Sequence, residues 1–441
     1  MSTVGMSPVG SPAETPPDAL NCAAGDSTRG YPGASSTSSA TVTTSTTGTP
    51  MDATRGFIVG TRGSALALAQ TQLVVDALTP HLSQPLDVQI ITTHGDTTRA
   101  HLVDLAQQGH TGVFANAIRR ALLEGQIDLA VHSCKDLPAD PCPGLEILAM
   151  PPRGATADCL CTTAGWTLET LPEGARVGTG SPRRAAQLLR VRPDLSIVPI
   201  RGNIERRLCY LDEPVLNTPI GSGSGSGDGS CSDAPLDAVV LAEAGLQRLA
   251  ARDTEADTVL RYISQRLPFL PSPAQGALAL EVRMDTTPAP LRQALLAINH
   301  QPTLLAAIAE RALLRTLHAG CELPIGAEAT AQVHPQTRGV ELTLRAEILS
   351  PDGRERNAVE HTVTVPQLSW AEESAEAAAA EITAAEVAGA ESAAGLLAAA
   401  PLDIDPGLVD PAYYAEAHEA QLAAAYQLGQ MVARRLQANA R

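Results

Sequence analysis

Three short stretches place an arginine beside a glycine, serine or asparagine where a strand gives way to a helix: Arg62-Gly63-Ser64, Ser181-Pro182-Arg183-Arg184 and Arg201-Gly202-Asn203. Exposed amide N–H groups and the positive end of a helix attract anions, and a nearby guanidinium adds a two-pronged grip on carboxylate or phosphate. One such turn alone reads as an ordinary cap with a solvated arginine. Three of them in one α/β chain gather at the carboxyl edge of the strands, where ligands bind. Together they point to a ligand with several acidic groups. A fourth stretch, VHSCKDLPAD, holds the only lysine of the chain, Lys135, directly before Asp136. A compact ammonium on a mobile stem offers donors that a planar guanidinium cannot imitate. Asp136 beside it can act as acid, base or stabiliser of a cation. The plainer reading is a surface lysine ahead of a rigid loop containing Pro138, Pro141 and Pro143. A Schiff-base role for Lys135 would need a neutral amine, which the adjacent carboxylate opposes.

Two further residues stand out. Cys321 lies in LHAGCELPIG, between a long apolar helix and a strand-like segment, with Gly320 allowing a tight backbone. Lone cysteines are mostly small buried hydrophobes, and by residue type Cys321 is no better a nucleophile than Cys209; His318 could serve as its base. Phe114, one of three phenylalanines, sits in AQQGHTGVFANAIRR. It belongs either to a mobile glycine-flanked loop or to the core side of the helix that follows.

These residues need a scaffold, and the composition bounds it. A chain of 441 residues with 44% hydrophobic and only 2% aromatic content must build several aliphatic cores. A formal net charge of −17 argues against a general nucleic-acid binder. Eight cysteines without CxxC spacing point to neither a disulfide scaffold nor a zinc ribbon. No apolar run is long enough for a membrane helix, and the N-terminus lacks an export signal. The expected setting is the cytoplasm, with reduced thiols and no metal. Residues 1–55, rich in Ser, Thr, Pro and Gly, read as a disordered tail.

Strand-turn-helix grammar recurs along the rest. Phe57–Gly60 reads as a buried strand before a helix starting at Ser64. Residues 176–178 read as a strand before Ser181 as N-cap and Pro182 as first helical residue. Residues 196–200 read as a strand before a helix from about Asn203. DVQIITT, DLAVHS, DAVVLA and GALALEV supply more strands. Strands alternating with helices imply parallel sheets covered on both faces. GVELTLRAEILSPDGRERNAVEHTVTV reads as an antiparallel hairpin turning at SPDGR. The expected architecture is two α/β domains with a cleft between them and a smaller α+β C-terminal domain. Domain 1 spans 56–154 and 276–296, domain 2 spans 155–275 with a Gly/Ser insert at 217–235, and domain 3 spans 297–441 with an Ala/Glu-rich insert at about 366–412.

The segments GTRGSALALAQ, THGD, GVFANAIRRALLEGQIDLAVHSCKDLP, VGTGSPRRAAQLLRVRPDL, IRGNIERRL, LAEAGLQRL, LPSPAQGALALE and AERALLRTLHAGCELPIG, in that order from about residue 57 to 327, together resemble the porphobilinogen deaminase (hydroxymethylbilane synthase) family. The resemblance implies a transferase of tetrapyrrole (heme) biosynthesis, with two domains like periplasmic binding proteins and the active site between them. Such an enzyme joins four porphobilinogen molecules head to tail into hydroxymethylbilane, releasing four ammonia molecules, on a covalent dipyrromethane cofactor. It implies Cys321 as the thioether site of that cofactor and Asp136 as the catalytic carboxylate. It implies cofactor contacts from Lys135, Thr179, Ser181, Arg183 and Arg184, and substrate contacts from Arg62, Ser64, Arg201, Arg207, Gln275 and Phe114. It also implies a monomer, with no nucleic-acid or membrane partner. The chain departs from the family pattern at QQGHTG, where relatives carry lysines, at His94 in THGD, and at Gly180 and Pro182. The alternative reading is a non-catalytic two-lobed anion-binding protein, which explains the arginine turns but gives Cys321 no task.

Overall fold

A computed structural model of the protein describes residues 56–92, 115–211, 235–252, 257–319, 323–333, 339–365 and 416–439. The 1–55 tail, the Gly/Ser insert up to residue 234, the Ala/Glu-rich insert, His94, Phe114 and Cys321 lie outside these residues.

Short aliphatic segments build two five-stranded sheets. The first holds β1 (Phe57–Thr61), β2 (Leu86–Ile90), β3 (Leu129–Ser133), β4 (Leu145–Ala149) and β10 (Leu278–Arg283), in the order β2-β1-β3-β10-β4. The second holds β5 (Asp158–Cys161), β6 (Arg176–Gly178), β7 (Ser196–Val198), β8 (Ala238–Ala242) and β9 (Ile263–Leu267), in the order β7-β6-β8-β5-β9. Each sheet forms the core of one lobe, and the cores are aliphatic, as the lack of aromatics requires. The two lobes share one plan. Three neighbouring strands are parallel, a fourth runs against them, and a fifth edge strand is antiparallel to the fourth. The sheets are therefore mixed, not wholly parallel. The reason lies in the chain path: β5 and β10 are the strands entered directly after the chain crosses from one lobe to the other. Each arrives from the hinge, against the direction of strands that are followed by helices.

Helices start where the caps predict. Ser64 Oγ accepts from Ala67 N at 3.3 Å to open α1 (Ala65–Leu78), and Asn203 Oδ1 accepts from Arg206 N at 3.0 Å to open α4 (Ile204–Leu208). Ser181 Oγ accepts from Arg184 N at 3.4 Å to open α3 (Pro182–Val191), with Pro182 at the first helical position. Among the remaining helices are α2 (Asn116–Leu123), α5 (Glu243–Arg252), α6 (Asp257–Leu260) and α7 (Ala289–Ala297). Ala65 and Leu66 at the start of α1 pack against the core of the second lobe, so the lobes touch beside the Arg62 turn.

Two crossovers, residues 150–157 and 268–277, run side by side between the lobes. Gly154 N donates to Gly276 O at 3.1 Å, and Arg248 of α5 donates to the same carbonyl at 2.6 Å. Gly276 has φ +85°, and a Cβ there would lie 2.6 Å from Gly154 O and 2.8 Å from Ala155 O. Only glycine permits this approach. The third domain is an antiparallel sheet of β11 (Ile325–Val333), β12 (Val340–Leu349) and β13 (Arg356–Val365), with the predicted turn at residues 350–355. It packs with α8 (Gln301–Thr316) and α9 (Glu416–Asn439). Helix α8 is buried at every position from Thr303 to Leu313, because one side meets this sheet and α9 while the other meets the first lobe.

Charged side chains on α8 grip the crossovers. Glu310, fully buried, accepts from Arg153 Nη1 and Nη2 at 2.7 and 3.0 Å, from Ala329 N at 2.6 Å, and from Ala274 N. Burial works against the Arg153 charge, and Glu310 more than restores it, leaving the guanidinium pKa above its ordinary value. Glu310→Ala should cost about 3–5 kcal/mol of stability, since it strands a buried cation. Gly276→Val should cost about 3 kcal/mol through the carbonyl clash and the positive φ. Chemical denaturation followed by far-UV circular dichroism checks both.

Candidate active site

The carboxyl ends of β1 and β3 in one lobe, and of β6 and β7 in the other, carry the residues singled out by their chemistry. After β3 a 3-10 turn, Cys134–Asp136, swings Lys135 and Asp136 out of the sheet. Cys134 points inward and is fully buried, Lys135 is half-buried and Asp136 is exposed. Arg311 of α8 supports the loop after this turn, donating to Pro138 O at 2.6 Å and to Leu137 O at 3.4 Å. The third domain thus holds both the crossovers and the loop behind Asp136.

Lys135 reaches across the lobe boundary. Its Nζ donates to Gln275 Oε1 at 3.1 Å. Gln275 is fully buried on the second crossover, and its Nε2 donates to Thr156 O at 2.7 Å and to Asp158 Oδ1 at 2.9 Å. Asp158, at the start of β5 and fully buried, also accepts from Arg184 Nε at 3.0 Å and Nη2 at 2.6 Å through Oδ1, and from Arg183 Nη1 at 2.7 Å through Oδ2. Burial opposes ionisation of Asp158, but Arg184 and Arg183 outweigh it and hold its carboxyl far below the usual range. Arg183 Nη1 further donates to Leu270 O and Gln187 Oε1, and Gln187 Nε2 donates to Glu347 Oε1 of β12 at 2.8 Å. One bonded chain therefore runs from Lys135 through the hinge and the second lobe into the third domain.

Several expected site residues take more internal places than ligand contact alone would require. Arg183 and Arg184 are 4% and 6% exposed, and Asp158 clamps both. Thr179 is buried, with Oγ1 accepting from Ser181 N at 3.1 Å. Gln275, expected to bind substrate, has both amide atoms engaged by protein and meets the cleft through Lys135. Ser64 and Ser181 serve as caps. Arg62, Arg201 and Arg207 remain half-buried at the lobe boundary. Gly180, a departure from the family pattern, has a local reason: a Cβ there would lie 2.6 Å from Ile200 O.

The charges come close enough to shift one another. Burial lowers the Lys135 pKa to about 8; Asp136 and Asp158 resist the shift while Arg184 and Arg183 add to it. Burial also lowers Arg207 to about 10; Arg184 and Arg201 add to this, and Asp136 opposes it. Lys135, Arg183, Arg184, Arg201 and Arg207 thus share one neighbourhood with two carboxylates, Asp136 and Asp158. Asp158 is already committed to arginines. Among the described residues of this cluster, positive charge is in excess. By contrast, burial raises the thiol pKa of Cys134, of Cys159 (to about 12) and of Cys161, so these are poor nucleophiles.

Asp158, Arg153, Glu310 and Arg311 were not singled out by sequence reasoning. Their signal was faint: one Glu-Arg pair inside an otherwise Ala/Leu-rich helix, and an aspartate opening the apolar strand DCLC. In the first lobe Glu281 is similar, bonded by Arg119 at 2.8 Å and 3.2 Å from His132 Nε2. Burial opposes its ionisation, but His132 and Arg119 hold its pKa at about 2.

Both carboxyls titrate below their unfolded values. Their stabilisation is therefore fully present above the ordinary carboxylate range and is lost as pH falls towards the folded values. Stability should hold from neutrality to about pH 5 and fall steeply below about pH 4. Asp158→Asn should cost about 3–5 kcal/mol at neutral pH and flatten part of that acid slope, measured by denaturant unfolding at a series of pH values.

Residues 57–289 match the family model for the porphobilinogen deaminase dipyrromethane cofactor binding domain, and residues 304–385 match that for its C-terminal domain. The porphobilinogen deaminase of Thermobifida fusca is 42% identical over 319 residues, covering 72% of this chain and 89% of that protein. That of Cutibacterium acnes is 46% identical over 331 residues, covering 73% and 92%. Solved structures with some likeness include immunogenic lipoprotein A of Vibrio vulnificus, 9% identical with a TM-score of 0.31 over 54% of this chain and 94% of that one. The benzoate-bound BenM effector binding domain is 12% identical, with a TM-score of 0.27 over 55% of this chain and 91% of that one. Scores that low carry no argument, and the fold rests on the sheets described above. The sequence relatives decide the matter: the chain belongs to the porphobilinogen deaminase family, transferases with a dipyrromethane cofactor.

Proposed function

We propose that this chain condenses porphobilinogen head to tail into hydroxymethylbilane, four units per product with release of four ammonia molecules, in the cleft between its two α/β lobes. The observation that carries this reading is the surplus of positive charge around Lys135 and Asp136. Each porphobilinogen bears two carboxylates, so a growing chain of them needs such a site within an otherwise acidic protein.

The donor set fits a bound dipyrromethane. Burial first, and then the like charges of Arg184 and Arg201, lower Arg207, so carboxylates entering beside it would restore its charge. Cys321 would hold the cofactor as a thioether, and Lys135, Thr179, Ser181, Arg183 and Arg184 would form its surroundings. When bound, the cofactor supplies a nucleophilic pyrrole carbon at its free end. Arg62, Ser64, Arg201 and Arg207 would take the carboxylates of the incoming substrate, and Phe114 would lie on its path.

The chemical burden falls on Asp136. When a protonated aminomethyl group leaves porphobilinogen as ammonia, the electron pair of the C–N bond goes to nitrogen and the pyrrole becomes a cation. A carboxylate fixed on a short turn, with Lys135 beside it and Arg207 opposite, stabilises that cation without reorganising. The same oxygen atoms can accept the ring proton that must be lost after the new C–C bond forms. Lys135 is suited to the carboxylates because an ammonium with rotating donors can follow groups that shift between cycles.

The intact mass of the purified protein should exceed that of the bare polypeptide by two porphobilinogens less two ammonia molecules, and Cys321→Ser should lack the excess. A bare mass in both, unchanged after incubation with porphobilinogen, would leave an anion-binding protein. Asp136→Asn should keep the excess mass while turnover falls about a hundredfold or more. An Asp136→Asn enzyme with normal turnover would remove that residue from the chemistry.

A further inference from the structure

The sole lysine of the chain donates to Gln275 Oε1, and that acceptor has no freedom of orientation. An amide side chain can ordinarily exchange its oxygen and nitrogen by a half-turn, and a glutamine facing an ammonium could then present either end. At Gln275 the half-turn is blocked. Its nitrogen faces three acceptors, Thr156 O at 2.7 Å, Asp158 Oδ1 at 2.9 Å and Ala157 O at 3.5 Å, and none can donate. Reversal would set the amide oxygen against two carbonyls and a carboxylate, and the NH2 against an ammonium. Asp158 is itself fixed by the guanidinium groups of Arg183 and Arg184. The backbone of Gln275 is fixed too: its N–H donates to Ser272 O at 2.9 Å and its carbonyl accepts from Arg153 Nε at 2.8 Å.

We propose that Gln275 is a positioning residue for Lys135, its amide oxygen locked towards the lysine by Asp158 and the Thr156 carbonyl, so that the ammonium is held at the lobe boundary ready for substrate carboxylates. This rests on the proposed function above, whose carboxylate-bearing substrate the ammonium would meet. A fixed neutral acceptor suits the task. It occupies one of the three ammonium protons and leaves the other two for carboxylates, without the competing charge that a glutamate would bring. The groups bearing on Lys135 are Asp136 on its own turn, Asp158 of β5, and Arg183 and Arg184 of α3. Replacing Gln275 leaves all four groups in place; Asp158 loses one donor but stays paired with Arg183 and Arg184.

Lys135 can be read directly because no other lysine exists in the chain. Competitive acetylation of the holoenzyme with labelled acetic anhydride across pH, followed by peptide mass spectrometry, gives its titration midpoint, with the terminal α-amine as internal reference. Gln275→Met keeps the length and removes the oxygen. A hydrogen bond to the charged form raises an amine pKa, so its loss should lower the Lys135 midpoint by roughly half to one pH unit. KM for porphobilinogen should rise by about three- to tenfold with kcat less affected. Gln275→Glu keeps one oxygen towards Lys135, while its second oxygen, in the place of Nε2, must carry a proton to face Thr156 O and Asp158 Oδ1; this variant should hold the midpoint at or above the wild-type value. If the methionine variant does not fold, Gln275→Asn, one methylene too short to reach Nζ, should show the same downward shift. An unmoved midpoint in the variant lacking the oxygen, or an equal fall in the glutamate variant, would overturn the proposal. A wild-type protein without dipyrromethane mass would instead overturn the functional reading, while the lysine titration remained measurable.

Discussion

One buried carboxylate organises the site. Asp158 accepts from Arg183, Arg184 and Gln275, and through them it arranges groups of both lobes. A charge taken out of water must be compensated closely or it destabilises the fold. Here compensation and function are the same arrangement. Two guanidinium groups tolerate burial because Asp158 is present, and Asp158 stays ionised because they are present. The further cations, Lys135, Arg201 and Arg207, stand nearby with Asp136 as the second carboxylate, so positive charge is in excess among the described residues of the cluster. A ligand with several acidic groups completes that balance.

The described residues of the third domain act on this arrangement from behind the crossovers and the turn. Successive residues of α8 divide the work: Glu310 gathers both crossovers, and Arg311 holds the loop behind Asp136. Glu347 of β12 reaches the second lobe through Gln187 and steadies Arg183. The same helix leads, a few residues beyond its end, to Cys321. On the proposed reading, attachment of the growing chain, the crossovers and the turn that carries Asp136 are all referred to this one helix, buried for eleven consecutive residues.

Much of this was legible in the sequence because it depends on local rules. The capping roles of Ser64, Ser181 and Asn203, the strand before Lys135 and the SPDGR hairpin all follow from contacts within a few residues. The reversed direction of β5 and β10 was not legible, since hydropathy records that a segment is buried but not which way it runs. Nor were the ion pairs that assemble the site. Glu310 meets Arg153 across 157 positions and Gln275 meets Asp158 across 117, and no periodicity encodes such pairings. The arginines were visible as a set, but that Arg183 and Arg184 face inward depended on Asp158, whose place at the head of an apolar strand gave little sign of its partners.

The most direct test of the account is the mass of the protein itself during reaction. Purified holoenzyme mixed with limiting porphobilinogen and quenched should show a ladder of covalent species, each heavier by one porphobilinogen less one ammonia. A protein that binds porphobilinogen yet gains no mass in such steps would contradict a cleft built to lengthen a chain anchored on Cys321.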